Sequence, residues 1–559
     1  MHVARRQRSA GVVRVPGQSS PRVSMASRSQ IVVKFGDDVA LPTALGRHPI
    51  PEWHEREWAA LLTELPGRLV ATPLFRSVSR LELETLVRVA KMRSERAHED
   101  YRPPKFENYL WLNYQSVAPA DVPPSEQEAQ HLKATEFIVE SISKWTDVVH
   151  CYERLEDETP ALKRASTPIT FAAPNTDPEH PLQRHLQPAP AGLAAKALWQ
   201  YEGASGVGQH FVDIERGWNL AHKDLSDASG RPRVTHDRRN GGVRSRKASD
   251  ITHGTSVLGI VCASHNAINT IGLAPALESM QVISYVSGTG DTSTADTIMR
   301  AAANQIASSI DQRRVSMSVR PTTVILIEAH ARLRSSSFYF PVEVYPDTFD
   351  AIDLTTRAGI TVIEPAGNGR VPDTRDVPLD RFSVDLDDVQ SYLGRSAEAK
   401  TLLRSLNPNQ STQRRPETRP ERGGGSAKLA PYQDSGAIMV GAATYQARDG
   451  GRWTRLLESN YGARVNCFAA GENVTTLNAQ GGSAIDFSGT SSASAIIAGA
   501  ALMLQGVAQA NQGAPLAPKL LRQALGDAAL GTRSKAPITD KIGVMPNLPT
   551  MAQKYAGTS

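Results

Sequence analysis

From Gly192 onward, short apolar runs alternate with segments of helical periodicity, and this alternation restricts the fold more than any other feature. The runs GQHFVDI, MQVISYV, TTVILIEA, ITVIEPAG and AIMVGAAT (437–444) read as strands. Between and after them lie a helix following His253, one at Thr292–Ser309, one at Phe349–Ala358 and a last one near Pro518–Leu530. Alternating strands and helices predict a parallel sheet covered by helices, because each parallel connection must cross over the sheet. Residues 370–430 break the rhythm with DVPLDRFSVDLDDVQ and then NPNQSTQRRPETRPERGGGS, which reads as an insertion with a flexible Arg/Pro/Gly-rich tail.

The N-terminal part has a different pattern. IVVKF (31–35), YLWLNY (109–114) and DVVHCYERL (147–155) are strand candidates, and helical periodicity appears at Glu55–Leu65, Arg80–Ser94 and Glu126–Ser143. Residues 30–156 are therefore expected to form a small α+β domain. Residues 157–190, rich in Pro, Thr and His, read as an exposed linker, and 191–559 as the main α/β domain containing the 370–430 insertion. Residues 1–29 are basic and Ser-rich without the apolar stretch of a secretory signal, so a disordered extension is expected; Met25 offers an alternative start.

Hydrophobic content of 40% supports a large core, and 62 basic against 57 acidic residues leave a net charge of only +5. Aromatic and basic residues do not interleave as a nucleic-acid groove requires, so nucleic acid is not an expected partner. Three scattered cysteines (Cys151, Cys262, Cys467) do not form a disulfide framework, and no CxxC or HExxH stretch supports zinc. The most membrane-like segment, Ala493–Val507, is too short to span a bilayer and is bounded by Gln505 and Gln509. No membrane partner is expected. The expected location is cytoplasmic, with export by a signal-peptide-independent route as the alternative.

Three segments carry chemistry. FVDIERGW puts Asp213 at the end of an apolar strand, THGTSVLGIVCAS opens a helical run at His253, and DFSGTSSASAIIAG places Ser491 at the start of another helix. Taken singly, each residue has an ordinary structural role: a turn carboxylate, a satisfied histidine, a small residue in a packed helix. Together they supply an acid, a base and a nucleophile.

In the order Asp…His…Ser, with His-Gly-Thr and Gly-Thr-Ser-x-Ala-Ser around the second and third, the motifs resemble the subtilisin-like serine peptidases (subtilases). No GxSxG elbow surrounds the serine. The likeness extends to SNYGARVNCFAAG (459–471), AIMVGAA (437–443) and IGVMPNL (542–548). It implies a three-layer α/β/α catalytic domain with a mostly parallel sheet, preceded by a prodomain-like α+β domain. It also implies a serine endopeptidase working through an acyl-enzyme, with Asp213, His253 and Ser491 as the triad. Asn368 of Ala-Gly-Asn would be the oxyanion donor. Glu328, Ala329, His330 and Gly367 fall at the implied substrate-binding positions.

The sequence departs from the family pattern in several places. Ala495 stands where proline is usual, and Asp213 is followed by Ile-Glu instead of a small residue and Gly. Glu328-Ala329-His330 replaces the Ser-x-Gly stretch of the substrate strand and, with Glu364, suggests an acidic or narrow pocket. The resemblance further implies protein or peptide substrates and an N-terminal domain that inhibits the site and is released by cleavage within 157–190, as in a zymogen. No cofactor is expected; the acidic run Asp380–Asp388 matches no calcium loop, so calcium binding lacks a clear motif. Two alternatives stand beside the general endopeptidase: a restricted protease cutting itself or a dedicated partner, and a non-catalytic peptide-binding scaffold on the same fold.

Overall fold

The computed structural model describes residues 28–41, 50–117, 122–158, 182–227, 229–266, 268–286, 293–311, 314–334, 336–370, 382–392, 433–447 and 450–558. Most of the expected N-terminal extension, of the 157–190 segment and of the 370–430 insertion lies outside these residues.

The N-terminal region is an antiparallel four-stranded sheet with three helices. Its strands β1 (Arg28–Phe35), β2 (Gly67–Pro73), β3 (Tyr109–Ser116) and β4 (Val148–Arg154) are arranged β2-β3-β1-β4. The helices are α1 (Glu55–Glu64), α2 (Arg80–Arg96) and α3 (Pro124–Ile142). The two-residue period of β1 assigns its faces. Ile31, Val33 and Phe35 pack with Trp58 and Leu61 of α1 and Ile138 and Ile142 of α3. Val32 faces the other way, into a core shared with Leu86 and Val89 of α2 and with the rest of the chain. GRLVATP, absent from the expected strands, pairs along β3 as the edge strand β2.

The larger region is built on a ten-stranded sheet. Its core runs β6 (Val234–Asp237), β7 (Ser279–Ser284), β5 (His210–Glu215), β10 (Thr323–Ile327), β13 (Thr361–Pro365), β14 (Ile438–Gln446) and β16 (Cys467–Ala470), all parallel. Helices α5 (Ala248–Cys262) and α8 (Gly489–Gln512) pack against each other on one face, with α6 (Thr294–Ala303) and α7 (Pro346–Arg357) on the other. Helix α8 is apolar enough and long enough to cross a membrane, but its 18-residue apolar window is 100% buried inside the protein, as expected of a core helix that is hydrophobic all round.

From β5 the chain first builds β6 and β7 on one side and then crosses to β10 on the other. The strand order therefore reverses at β5 and β10. In open α/β sheets such a switch point leaves a crevice at the carboxyl ends of the two strands, where sites form.

One expectation needs correction. The helix expected to reach Ser309 stops at Ala303, where the Asn304 N–H bonds back to Arg300. Residues Ile306–Asp311 (β8) pair instead with Arg314–Val319 (β9) in a hairpin. The described ends of the expected linker are mixed: Leu182, Arg184, Pro188 and Pro190 are exposed, whereas Asp157, Gln183 and His185 are buried, and the Gln183 amide bonds both to the Ile271 carbonyl and from its N–H.

Candidate active site

Glu215 is the last residue of β5, and Glu328 follows β10 immediately beside it, its N–H bonded to the Ile214 carbonyl at 2.9 Å. The two carboxylates thus mark the crevice. The structure assigns the partner of the histidine differently from the sequence reading. His253 Nδ1 lies in very short contact with Glu215 Oε1, whereas Asp213 accepts from Trp218 Nε1 at 2.6 Å. Both acids are on the same face of β5, two residues apart. Asp213, however, sits deeper in the sheet, opposite Leu326 and Val282, while Glu215 stands at the mouth.

The local sequence explains why His253 reaches Glu215. His253 lies in the second turn of α5, not at its start. A Cβ on the following Gly254 would fall 2.4 Å from the Gly217 carbonyl and 2.6 Å from the Trp218 ring. Glycine there lets the helix press against the loop leaving β5. The helix is tied to the same loop by the Asn219 N–H, which donates to Thr255 Oγ1 at 2.9 Å. The edge of His253 packs on Phe487, with ring centroids 5.2 Å apart at 75°.

Phe487 precedes the turn that opens α8, and Ser491 is the third residue of that helix. The Gly489 N–H bonds to the Gly471 carbonyl, and the Thr490 N–H and hydroxyl both donate to Asn368 Oδ1 at 2.8 Å. The Ser491 N–H is the next first-turn donor, and such donors have no partner within the helix. Because Thr490 holds the carbonyl end of the half-buried Asn368, its amide Nδ2 is turned to the helix start: a Cβ on Gly489 would come within 2.7 Å of it. Gly489 also has φ +85°, so both its conformation and its contact select glycine.

Ser491 Oγ and His253 Nε2 are buried; His253 Nε2 has no hydrogen-bond partner among the described residues, and the Ser491 side chain faces Glu328, whose pKa it helps to lower. Burial pulls the His253 pKa down to about 3, with the charge of His330 adding to the effect. Burial also pushes Glu215 well above the usual carboxylate range, reinforced by the charges of Asp213, Glu328 and Asp250. The pair therefore resists carrying separated charge in this enclosed state. Asp213, raised by burial to about 7, is only partly offset by the Trp218 hydrogen bond.

The expected substrate strand separates into distinct environments. Glu328 is buried and accepts from Ser494 Oγ at 2.6 Å; burial holds its pKa well above normal against that hydrogen bond. Ala329 is buried, and His330 begins β11 (His330–Arg332), which pairs with β12 (Tyr339–Pro341). Gly367 adopts φ +106° against the Asn460 amide. Glu364 does not join Glu328 in a common acidic pocket. It is buried beside Glu343 and Arg464, 3.8 Å from the Arg464 guanidinium, in a separate cluster.

The acidic run also turns to local partners. Asp387 accepts from the Ala463 N–H and pairs with Lys541 at 2.7 Å, and Asp388 accepts from Ser391. Asp380 lies outside the described residues. Among the described residues no group of three His, Cys, Asp or Glu side chains is arranged to hold a metal.

The peptidase S8 family model, the subtilase family, matches residues 180–548. The chain belongs to the subtilase family. No curated protein matches the sequence. Among solved structures, fervidolysin from Fervidobacterium pennivorans, a keratinolytic enzyme related to subtilisin, is similar at 12% identity and TM-score 0.47; the match covers 94% of this chain and 61% of that one. This subtilase thus spans less than two thirds of fervidolysin. The prenylagaramide maturation protease PagA is similar at 17% identity and TM-score 0.39, over 65% of this chain and 99% of that one. A cold-adapted subtilisin-like serine proteinase is similar at 18% identity and TM-score 0.35, over 61% and 88%.

Sequence reasoning missed Glu215, although a signal was present. Glu215-Arg216-Gly217 keeps an acid-x-Gly spacing that Asp213-Ile214-Glu215 lacks. Strand alternation cannot choose between the two acids because both point the same way.

Proposed function

We propose that this chain is a serine endopeptidase in which Glu215, His253 and Ser491 form the triad. The carrying observation is the contact of His253 Nδ1 with the Glu215 carboxyl at the mouth of the sheet. In this reading Glu215 fixes the imidazole tautomer so that Nε2 faces Ser491 as a base, and stabilises the imidazolium once the serine proton is taken. Ser491 Oγ attacks the peptide carbonyl. The Ser491 N–H and the Asn368 amide receive the oxyanion, the amine leaves with the proton from His253, and water cleaves the acyl-enzyme by the same steps. Asp213 becomes a supporting residue that orients Trp218.

The N-terminal region is proposed to hold the enzyme latent. Its β4 runs into a tail whose Glu158 pairs with His330 through two backbone hydrogen bonds of 3.0 and 2.9 Å. Arg154 anchors the tail's root, bonding Asp157 at 2.7 Å and Asp347 of α7 at 2.6 Å within the interior. This occupied strand edge favours, as a second reading, a restricted protease that first cuts itself.

Intact mass and gel analysis of wild type and Ser491→Ala, incubated with casein, test the proposal. Self-trimming and casein loss in wild type, absent from Ser491→Ala, are expected. Trimming with casein intact selects the restricted reading. Equal behaviour of the two proteins, including after limited proteolysis has removed the N-terminal region, overturns the peptidase reading and leaves the scaffold.

A further inference from the structure

We infer that Arg332 and Tyr339 form a subsite for a glutamate side chain on a peptide strand seated along β11, and so favour substrates that are acidic at that position. The inference rests on the peptidase reading and names a substrate class for it.

Glu158 is the occupant that reveals the subsite. Its backbone is paired antiparallel with His330, and its two carboxylate oxygens are taken separately. Arg332 Nη1 donates to Oε1 at 2.8 Å and the Tyr339 hydroxyl to Oε2 at 2.7 Å. His330 and Arg332 are two residues apart on one strand, so Arg332 lies on the same face as the side chain opposite His330, in diagonal reach. The register also gives direction. A strand continuing from the Glu158 position in this pairing next meets Ala329 and then Glu328, whose carboxyl is bonded to Ser494, one turn beyond Ser491.

Both recognition groups are held in place from behind. The Tyr339 N–H donates to the Gly369 carbonyl at 2.7 Å, and the Asn460 amide donates to the Tyr339 carbonyl at 2.9 Å, which fixes β12 to the loop carrying Asn368. The Arg332 carbonyl accepts from the Tyr345 hydroxyl at 2.7 Å. Burial, followed by the hydrogen bond and charge of Glu158, raises the Tyr339 phenol pKa, so it remains a donor at neutral pH.

An exposed ion pair by itself discriminates weakly. Here one oxygen meets a guanidinium and the other a buried, backbone-fixed phenol, an arrangement a glutamine satisfies poorly and a lysine opposes. The neighbouring acid Glu156 is 3.3 Å from Arg216 but 64% exposed, so it contributes less selection than the Glu158 position.

Two measurements test the subsite. The first uses synthetic peptides of the chain's own residues 152–166 with Glu, Gln or Lys at position 158. They are incubated with wild type, Arg332→Glu and Tyr339→Phe after limited proteolysis has freed the site, with Ser491→Ala treated in the same way as the blank. Wild type is expected to cleave the Glu peptide at least about tenfold faster in kcat/KM than the Lys peptide, with Arg332→Glu inverting the order and Tyr339→Phe reducing it. Ser491-dependent cleavage with the same Glu/Lys ratio in wild type and Arg332→Glu overturns the inference.

The second needs no turnover. In the Ser491→Ala chain, hydrogen exchange at the Glu158 and His330 amides should accelerate about tenfold or more with Glu158→Lys and recover in the Glu158→Lys/Arg332→Glu pair. Unchanged protection in all three also overturns it. If Ser491→Ala cleaves as wild type does, or no peptide is cleaved, the peptidase reading falls while the exchange result still decides whether Arg332 recognises this acid.

Discussion

The carboxyl ends of β5 and β10 lie side by side in the sheet, and each carries a buried glutamate, yet they are completed in different ways. At the end of β5, Glu215 meets His253 from a helix brought close by Gly254, so every element of the contact comes from one compact stretch of the chain. Beyond β10, Glu328 turns inward to Ser494, and the strand edge that follows is filled by Glu158 from the N-terminal region. One end is self-contained, whereas the other is an edge completed by a segment from elsewhere in the chain. Under the proposed function, the difference lets a chemical centre and a recognition strand share a switch point without interfering. The first needs fixed geometry, and the second needs an edge whose backbone groups remain available to an incoming chain.

The largest expected effect sharpens the assignment within β5. Glu215→Gln should lower kcat by about 10⁴-fold, the scale for losing the residue that fixes the histidine tautomer, while Asp213→Asn stays within roughly tenfold, as expected of a supporting group. Steady-state peptide hydrolysis by the two variants measures the contrast, and a reversed order would break it. Next is Asn368→Ala, which should lower kcat by about 10²–10³-fold with little change in KM, as expected for a donor that acts on the oxyanion. Equal loss in KM alone would instead assign Asn368 to holding α8 through Thr490.

Gly254→Ala is expected to cost on the order of 10²-fold in kcat/KM, because the added methyl pushes α5 away from the β5 loop and displaces His253. An unaltered rate would show that the close approach does not position the imidazole. The last expected effect is on stability and not on rate. Asp213 holds its proton more tightly folded, at about 7, than at its ordinary 3.8. Its contribution is therefore fully present below the ordinary value and fades as pH rises through about 7, by at most roughly 4 kcal/mol. Asp213→Asn should abolish this term, so the variant gains stability relative to wild type between pH 5 and 8 in denaturant titrations. Parallel curves would show that Asp213 does not titrate in that window.

Much of this architecture was legible in the sequence because its signals are local. The strands IVVKF, YLWLNY and AIMVGAAT, the three N-terminal helices and the helices that carry His253 and Ser491 each depend on periodicity or short motifs. What was not legible depends on small geometric or long-range terms. Asp213 and Glu215 are chemically equivalent on one face of β5, and only the Gly217 spacing separates them. The hairpin after Ala303 replaces the end of an expected helix with a pairing between two strands. The pairing of Glu158 with Arg332 and Tyr339 joins residues far apart in the chain, and no short pattern records it.

The central claim is that His253 is partnered by Glu215 and activates Ser491. Labelling with a fluorophosphonate probe, followed by peptide mapping of wild type, Asp213→Asn, Glu215→Gln and Ser491→Ala after limited proteolysis has freed the site, tests it most directly. The account predicts a single adduct on Ser491, retained in Asp213→Asn, strongly slowed in Glu215→Gln and absent from Ser491→Ala. Rapid labelling of Glu215→Gln together with loss of labelling in Asp213→Asn would contradict it.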